Sequence, residues 1–236
     1  MDQRINLTQC SKIGMRVGSW PTEVPVMPKV PARTPAELLQ RPIRILRPRD
    51  AAAAYRHPRP EIARLARAGA LHRVATGYYA AVPDDRVGST WLPELEPTAL
   101  GIAAADEGIE SVALIGLSAA RVHGAIPRAL AVAVVAASRH RSTLQLTDRP
   151  ATVYFVRRDV DKLDLQRHRW DLGTGWITGV EQTVLDLVAR PELGGLPDEA
   201  WSAAHALLSR ADRGLLTQLA AEQRRTSALR RLLEAI

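Results

Sequence analysis

Cysteine is almost absent from this 236-residue chain: Cys10 stands alone, which excludes a disulfide framework and a cysteine-based zinc site. Lysine is nearly as scarce, with only Lys12, Lys29 and Lys162 among 32 basic residues. That weighs against a metal-dependent nuclease, which needs clustered carboxylates near a lysine. Asp159, Asp161 and Lys162 share one short stretch, but it reads as a charged turn. Carboxylates that hold a metal must converge from separate elements, and no second acidic strand completes the set. Aromatic residues make up 4% of the chain, so aliphatic side chains and alanine must fill the core. No apolar run approaches the roughly 18 residues of a membrane-spanning helix. The N-terminus lacks a basic-then-apolar leader pattern, and a cytoplasmic protein without membrane association is the expectation.

Catalytic signatures are missing as well. Neither a phosphate-cradling P-loop nor a G-x-S-x-G nucleophile elbow occurs. His140, His168 and His205 have no partners at metal-ligand spacing. His123, beside Gly124, reads as a helix-terminal histidine on the last carbonyls. Asp186 in "EQTVLDLV" reads as a helix residue paired to an arginine. The chain is therefore read as no enzyme, with no catalytic residue, no cofactor and no metal.

What the chain has in excess is arginine, and the excess is localised. Between residues 41 and 73, nine arginines (41, 44, 47, 49, 56, 59, 64, 67 and 73) face only Asp50 and Glu61, so this window carries the whole net charge of +7. Elsewhere 23 basic residues balance 23 acidic ones. A localised basic block on a neutral body is the footprint expected for a polyanion partner. A solvated arginine-rich face has the same composition, so the order of elements must decide.

Residues 1–33, with Pro21, Pro25, Pro28 and Pro31, read as a flexible arm. Thr34-Pro35-Ala36-Glu37 reads as a helix start with a capping box. Residues 43–46 are a short strand candidate, and Pro48 opens a helix to Tyr55. A helix begins near Pro60; there Ile62, Leu65 and Ala66 fall at i, i+3 and i+4 and face a core. Gly69 stops it in the left-handed conformation. Residues 71–82, turning at Thr76-Gly77, read as a β-hairpin. This is the order of a winged helix-turn-helix, whose third helix enters the major groove. The division expected is an arm (1–33), a winged helix (34–83), a linker (84–93) and an α+β domain (94–236). In the last part strands are expected at 112–115, 130–136, 151–156, 162–167 and 176–178. Helices are expected at 97–107, 118–123, 180–189 and in three stretches of 197–236. The fold class expected is α+β: an N-terminal winged helix-turn-helix followed by a mixed α/β C-terminal domain.

Three stretches together carry a family resemblance: "EIARLARAGALHRVATGYYAAV", "ALIGLSAARVHGAIP" and "GVEQTVLDLVARPELGG". In this order they resemble the AbiEi-type antitoxins, which are also transcriptional regulators of bacterial type IV toxin–antitoxin systems. The resemblance covers roughly residues 34–236; the long arm before Thr34 departs from it. It implies a cognate nucleotidyltransferase-like toxin as partner. It also implies an N-terminal domain that represses its own promoter at inverted repeats in double-stranded DNA, and a C-terminal domain that carries the antitoxin activity and can contribute to DNA binding. Carried over by motif, Arg59, Arg64 and Arg67 fall on the recognition helix, and His72, Arg73 and Thr76 on the wing. Phosphate contacts are expected from Arg44, Arg49, Arg56 and Arg73. Inverted repeats imply two copies on DNA, as a homodimer. The rival readings are a protein-interaction module whose basic surface docks an acidic partner, and a nucleic-acid-processing enzyme.

Overall fold

The structure, a computed structural model, describes residues 33–235; of the arm expected at residues 1–33, residues 1–32 lie outside the described residues. The described residues pack as one compact unit of mixed α and β structure. Its first elements are α1 (Ala36–Leu39), β1 (Ile45–Leu46), a 3-10 helix (Pro48–Ala53), α2 (Pro58–Arg67), β2 (Leu71–Ala75) and β3 (Tyr78–Ala81). The three strands form an antiparallel sheet in the order β1-β3-β2. Neighbouring residues such as Ile45 and Leu46, or Ala80 and Ala81, are both buried on opposite sides, so the sheet has two apolar faces. Leu46, Leu71 and Ala81 join Ile62 and Leu65 of α2 on one side. Ile45, Val74 and Ala80 pack on the other side.

Next come α3 (Leu95–Glu107), β4 (Val112–Leu114), α4 (Gly116–Val122), β5 (Val132–Ala137), β6 (Leu144–Gln145), β7 (Thr152–Arg157), β8 (Leu165–Trp170) and β9 (Gly173–Thr178). Helices α5 (Val180–Ala189), α6 (Pro197–Leu208), α7 (Arg213–Glu222) and α8 (Thr226–Glu234) complete the chain. The six later strands form a mixed sheet in the order β6-β7-β5-β4-β9-β8. Its central strands are apolar on both faces, as a doubly covered sheet requires. In β5, Ala133, Val135 and Ala137 face α3, whereas Val134 and Ala136 face the layer of α4–α8. Helix α3 lies between the two sheets and is buried almost all round, the pattern of a helix inside a core. The three-stranded sheet therefore shares one apolar core with α3 and the larger sheet across residues 84–93.

The backbone joins the two parts as well. Ile43 bridges Gly173, Arg44 N–H donates to the Leu172 carbonyl at 2.9 Å, and Thr174 N–H donates to the Pro42 carbonyl at 2.8 Å. This approach needs a glycine: Gly173 has φ +138°, and a Cβ there would run into the Pro42 carbonyl.

Local details differ from the sequence expectations for physical reasons. Thr34 caps no helix; its hydroxyl donates to the Ala70 carbonyl at 3.2 Å, and Pro35 precedes α1 instead. The segment after Pro48 is a 3-10 helix, Pro48–Ala53, in place of the helix expected to run to Tyr55. Helix α2 starts at Pro58 rather than near Pro60; both prolines sit in a first turn whose N–H groups have no intrahelical acceptor. The strand expected at 162–167 runs from Leu165 to Trp170, because Val160–Lys162 is a 3-10 turn.

Candidate nucleic-acid interface

Helix α2 and the β2–β3 hairpin carry most of the basic residues singled out by sequence. Glu61 in the first turn of α2 and Arg64 and Arg67 in its last turn complement the helix dipole. The helix stops in a Schellman arrangement: Ala70 N–H donates to the Leu65 carbonyl at 3.0 Å and Gly69 N–H to the Ala66 carbonyl at 3.1 Å. Gly69 takes φ +76° there, which costs a glycine little. The chain then passes straight into β2. Ile62 and Leu65 are buried against the small sheet, so the opposite side of α2 faces outward.

That outward side holds Arg59, Ala63 and Arg67, spaced i, i+4 and i+8 and all exposed. The short Ala63 leaves the helix backbone open between two guanidiniums. Arg64 is exposed on the neighbouring row and meets Glu61 at 2.8 Å. Arg67 Nε donates to the Ala63 carbonyl at 3.3 Å. Arg56, in the turn before α2, and Arg59 are exposed and have no side-chain partner among the described residues. At the hairpin tip Arg73 and Thr76 are exposed, with Arg73 Nη2 3.5 Å from the Thr76 hydroxyl. Arg56, Arg59, Arg64, Arg67 and Arg73 are thus exposed candidates, on α2, in the turn before it and on β2.

The remaining candidates point inward or sideways. Arg44 donates to the backbone carbonyls of Asp171 and Leu172. Arg49 Nη2 lies 3.0 Å from Asp106 of α3. His72 Nε2 lies 2.9 Å from Asp148 Oδ2, and its ring meets Trp91 edge-on with centroids 6.1 Å apart. The partner Asp148 is also held by Arg149 at 2.8 Å. Beside it Thr147 N–H donates to the Val74 carbonyl at 2.9 Å, so residues 146–149 cover the free edge of β2. Tyr78 is buried and Tyr79 half-buried.

Asp106 is the residue the sequence reading missed. It accepts from the Tyr78 hydroxyl at 2.5 Å and pairs with Arg141 at 3.0 Å, as well as with Arg47 and Arg49. Burial pushes its carboxyl up; the hydrogen bonds from Tyr78 and Arg47 and the charge of Arg141 outweigh that and hold it below the usual carboxylate range. Burial and the bond to Asp106 push the Tyr78 phenol up. No sequence signal singles out this aspartate, because its partners lie up to 59 residues away.

Comparison with known proteins gives little. No family model matches the chain, and no curated protein matches it. Among solved structures it is similar to the crystal structure of the RV2827C protein from Mycobacterium tuberculosis, at 20% identity and a TM-score of 0.40, over 79% of this chain and 78% of that one.

The remaining motif residues serve internal bonds. The Ser118 hydroxyl accepts from Val134 N–H at 2.8 Å. His123 Nε2 lies 2.8 Å from the Thr178 carbonyl, not on the last carbonyls of its own helix; burial pushes this imidazole down. Thr183 bonds the Gly179 carbonyl at 2.7 Å. Asp186 meets Arg158 at 3.2 Å and Arg225 at 2.6 Å, tying α5 to β7 and to the start of α8. Among the described residues no three His, Cys, Asp or Glu side chains converge as a metal site would need.

Proposed function

We propose that residues 34–83 are a winged helix-turn-helix and that the chain is a DNA-binding transcriptional repressor and antitoxin of the AbiEi type. The observation that carries the first half is the outward face of α2. The helix is fastened by Ile62 and Leu65 and presents Arg59, Arg64 and Arg67 to solvent. The helix–strand–helix–helix–hairpin order and the β1-β3-β2 sheet support the same reading, with α2 as the reading helix and β2–β3 as the wing. A guanidinium can bond bidentately to guanine O6 and N7, each good contact giving roughly 1–3 kcal/mol of discrimination. Arg56 and Arg73 then sit where phosphates would flank the helix.

The antitoxin half rests on the sequence resemblance. Ser118, His123, Thr183 and Asp186 are engaged inside the fold. In this reading they build the body that meets a nucleotidyltransferase-like toxin and do not make the contact. Two copies would bind an inverted repeat, one per half-site.

The test is fluorescence anisotropy on the duplex upstream of the gene and on a shuffled duplex. Arg64→Ala and Arg59→Ala should lose preference for the upstream duplex by about tenfold or more. Variants that match the parent on both duplexes would misplace the reading head, and a parent that binds neither duplex would leave a protein-interaction module as the better reading.

A further inference from the structure

We propose that Asp106 is a positioning residue that withholds Arg47 and Arg49 from DNA and thereby confines contact to α2 and the hairpin tip; the proposal rests on the winged-helix reading above. Asp106 lies in the last turn of α3, outside the basic window, yet it gathers side chains from three separate segments. Arg47 and Arg49 come from the 3-10 helix and the residue before it, Tyr78 from the first position after the hairpin turn, and Arg141 from the stretch between β5 and β6. Its own side chain is 17% exposed, whereas that of Arg49 is 58% exposed. Arg49 is thus held by Asp106 although its side chain stays largely in solvent.

The geometry around the carboxylate is over-determined. The Arg47 guanidinium lies 5.1 Å from the centre of the Tyr78 ring, and the Arg141 guanidinium lies 4.0 Å from the centre of the Phe155 ring. Arg141 is anchored on both sides and stays with the core if Asp106 is lost. Arg47 and Arg49 have weaker anchors: Arg49 keeps a bond to the Ala105 carbonyl at 3.2 Å. Removing the charge of Asp106 leaves three guanidiniums around a neutral group. Like-charge repulsion then drives the two least anchored ones outward, toward any nearby polyanion.

A carboxylate so placed has two effects on DNA recognition. It lowers the number of cations that can meet phosphates, which weakens sequence-independent binding. It also ties the hairpin, through Tyr78, to α3 and so fixes the wing on the body of the protein. Both effects favour discrimination over bare affinity.

A double-mutant cycle with Asp106→Asn and Arg49→Ala tests this, read as affinity and salt slope on a random duplex. In the parent background Arg49→Ala should change affinity less than about twofold and leave the slope unchanged. Asp106→Asn should bind the random duplex more tightly, with a slope steeper by up to about 1.8, near 0.9 for each newly engaged phosphate. Adding Arg49→Ala to Asp106→Asn should remove about half of that increase. A merely structural role for Asp106 would leave the slope at the parent value. Equal losses from Arg49→Ala in both backgrounds overturn the proposal, and so does a tenfold loss from Arg49→Ala alone, a measurement that needs no Asp106 variant to fold. A parent that binds no duplex at all instead overturns the winged-helix reading, and this inference with it.

Discussion

Salt dependence offers the sharpest quantitative consequence of the side-chain placement. Each phosphate neutralised on duplex DNA contributes about −0.9 to the slope of log K against log salt. Nine arginines lie between residues 41 and 73, and if all nine met phosphates the slope would be about −8. The structure leaves five on the outward face: Arg56, Arg59, Arg64, Arg67 and Arg73. Arg41, Arg47 and Arg49 pair with Asp50 or Asp106, and Arg44 serves two carbonyls. The Arg64–Glu61 pair is a lone exposed pair and holds too little energy to keep Arg64 from a phosphate, whereas Arg49 meets the more buried Asp106 and also the Ala105 carbonyl. The slope expected for one copy is therefore about −4.5 at most. Between 50 and 200 mM salt that is a loss of roughly 500-fold, against roughly 70,000-fold for nine contacts. Anisotropy on a short random duplex that admits one copy measures it. A slope near −8 would mean that the internal ion pairs open on DNA, and a flat response would remove the basic face from the interface altogether.

Two further outcomes concern the body that carries this face. Gly173→Ala should destabilise the fold by about 3 kcal/mol or more, combining an unfavourable positive φ with a collision at the Pro42 carbonyl. Urea unfolding should show a lowered midpoint with unchanged m, and a shift under about 0.5 kcal/mol would contradict the close approach. Glu96 is buried beside Arg121 at 2.9 Å; burial pushes its carboxyl up, against the pull of its own backbone N–H and of Arg121. With the folded value raised, its contribution is fully present below the ordinary glutamate value of about 4.3 and is lost as pH rises through the raised value. Glu96→Gln should thus flatten the stability profile above the ordinary glutamate value and equal or exceed the parent at neutral pH. A Gln variant that melts lower at neutral pH would show that the Arg121 pair outweighs burial.

Much of the frame was legible in sequence because the governing signals are local. The apolar spacing of Ile62 and Leu65 marked the inner side of α2. Gly69 marked its stop, and the apolar run at 130–136 marked a central strand. Charge partners were illegible because they are set by tertiary approach. Asp106 and Asp148 lie far along the chain from the arginines and histidine they hold, and nothing near them in sequence distinguishes them from solvated acids. The count of nine arginines therefore overstated the outward charge. The linker expected at 84–93 rested on its Pro, Gly and Asp content, which reports turn chemistry; the shared core of Ile43, Ile45 and α3 depends on packing that composition does not encode.

The central claim is that α2 reads DNA sequence. Its most direct test is the ratio of affinities of the full chain for the duplex upstream of its gene and for a shuffled duplex of equal length, at physiological salt. Specific binders commonly favour their site by about a thousandfold or more over non-specific DNA, and a ratio of that order is predicted here. Equal affinity for the two duplexes, or no binding to either, would contradict it.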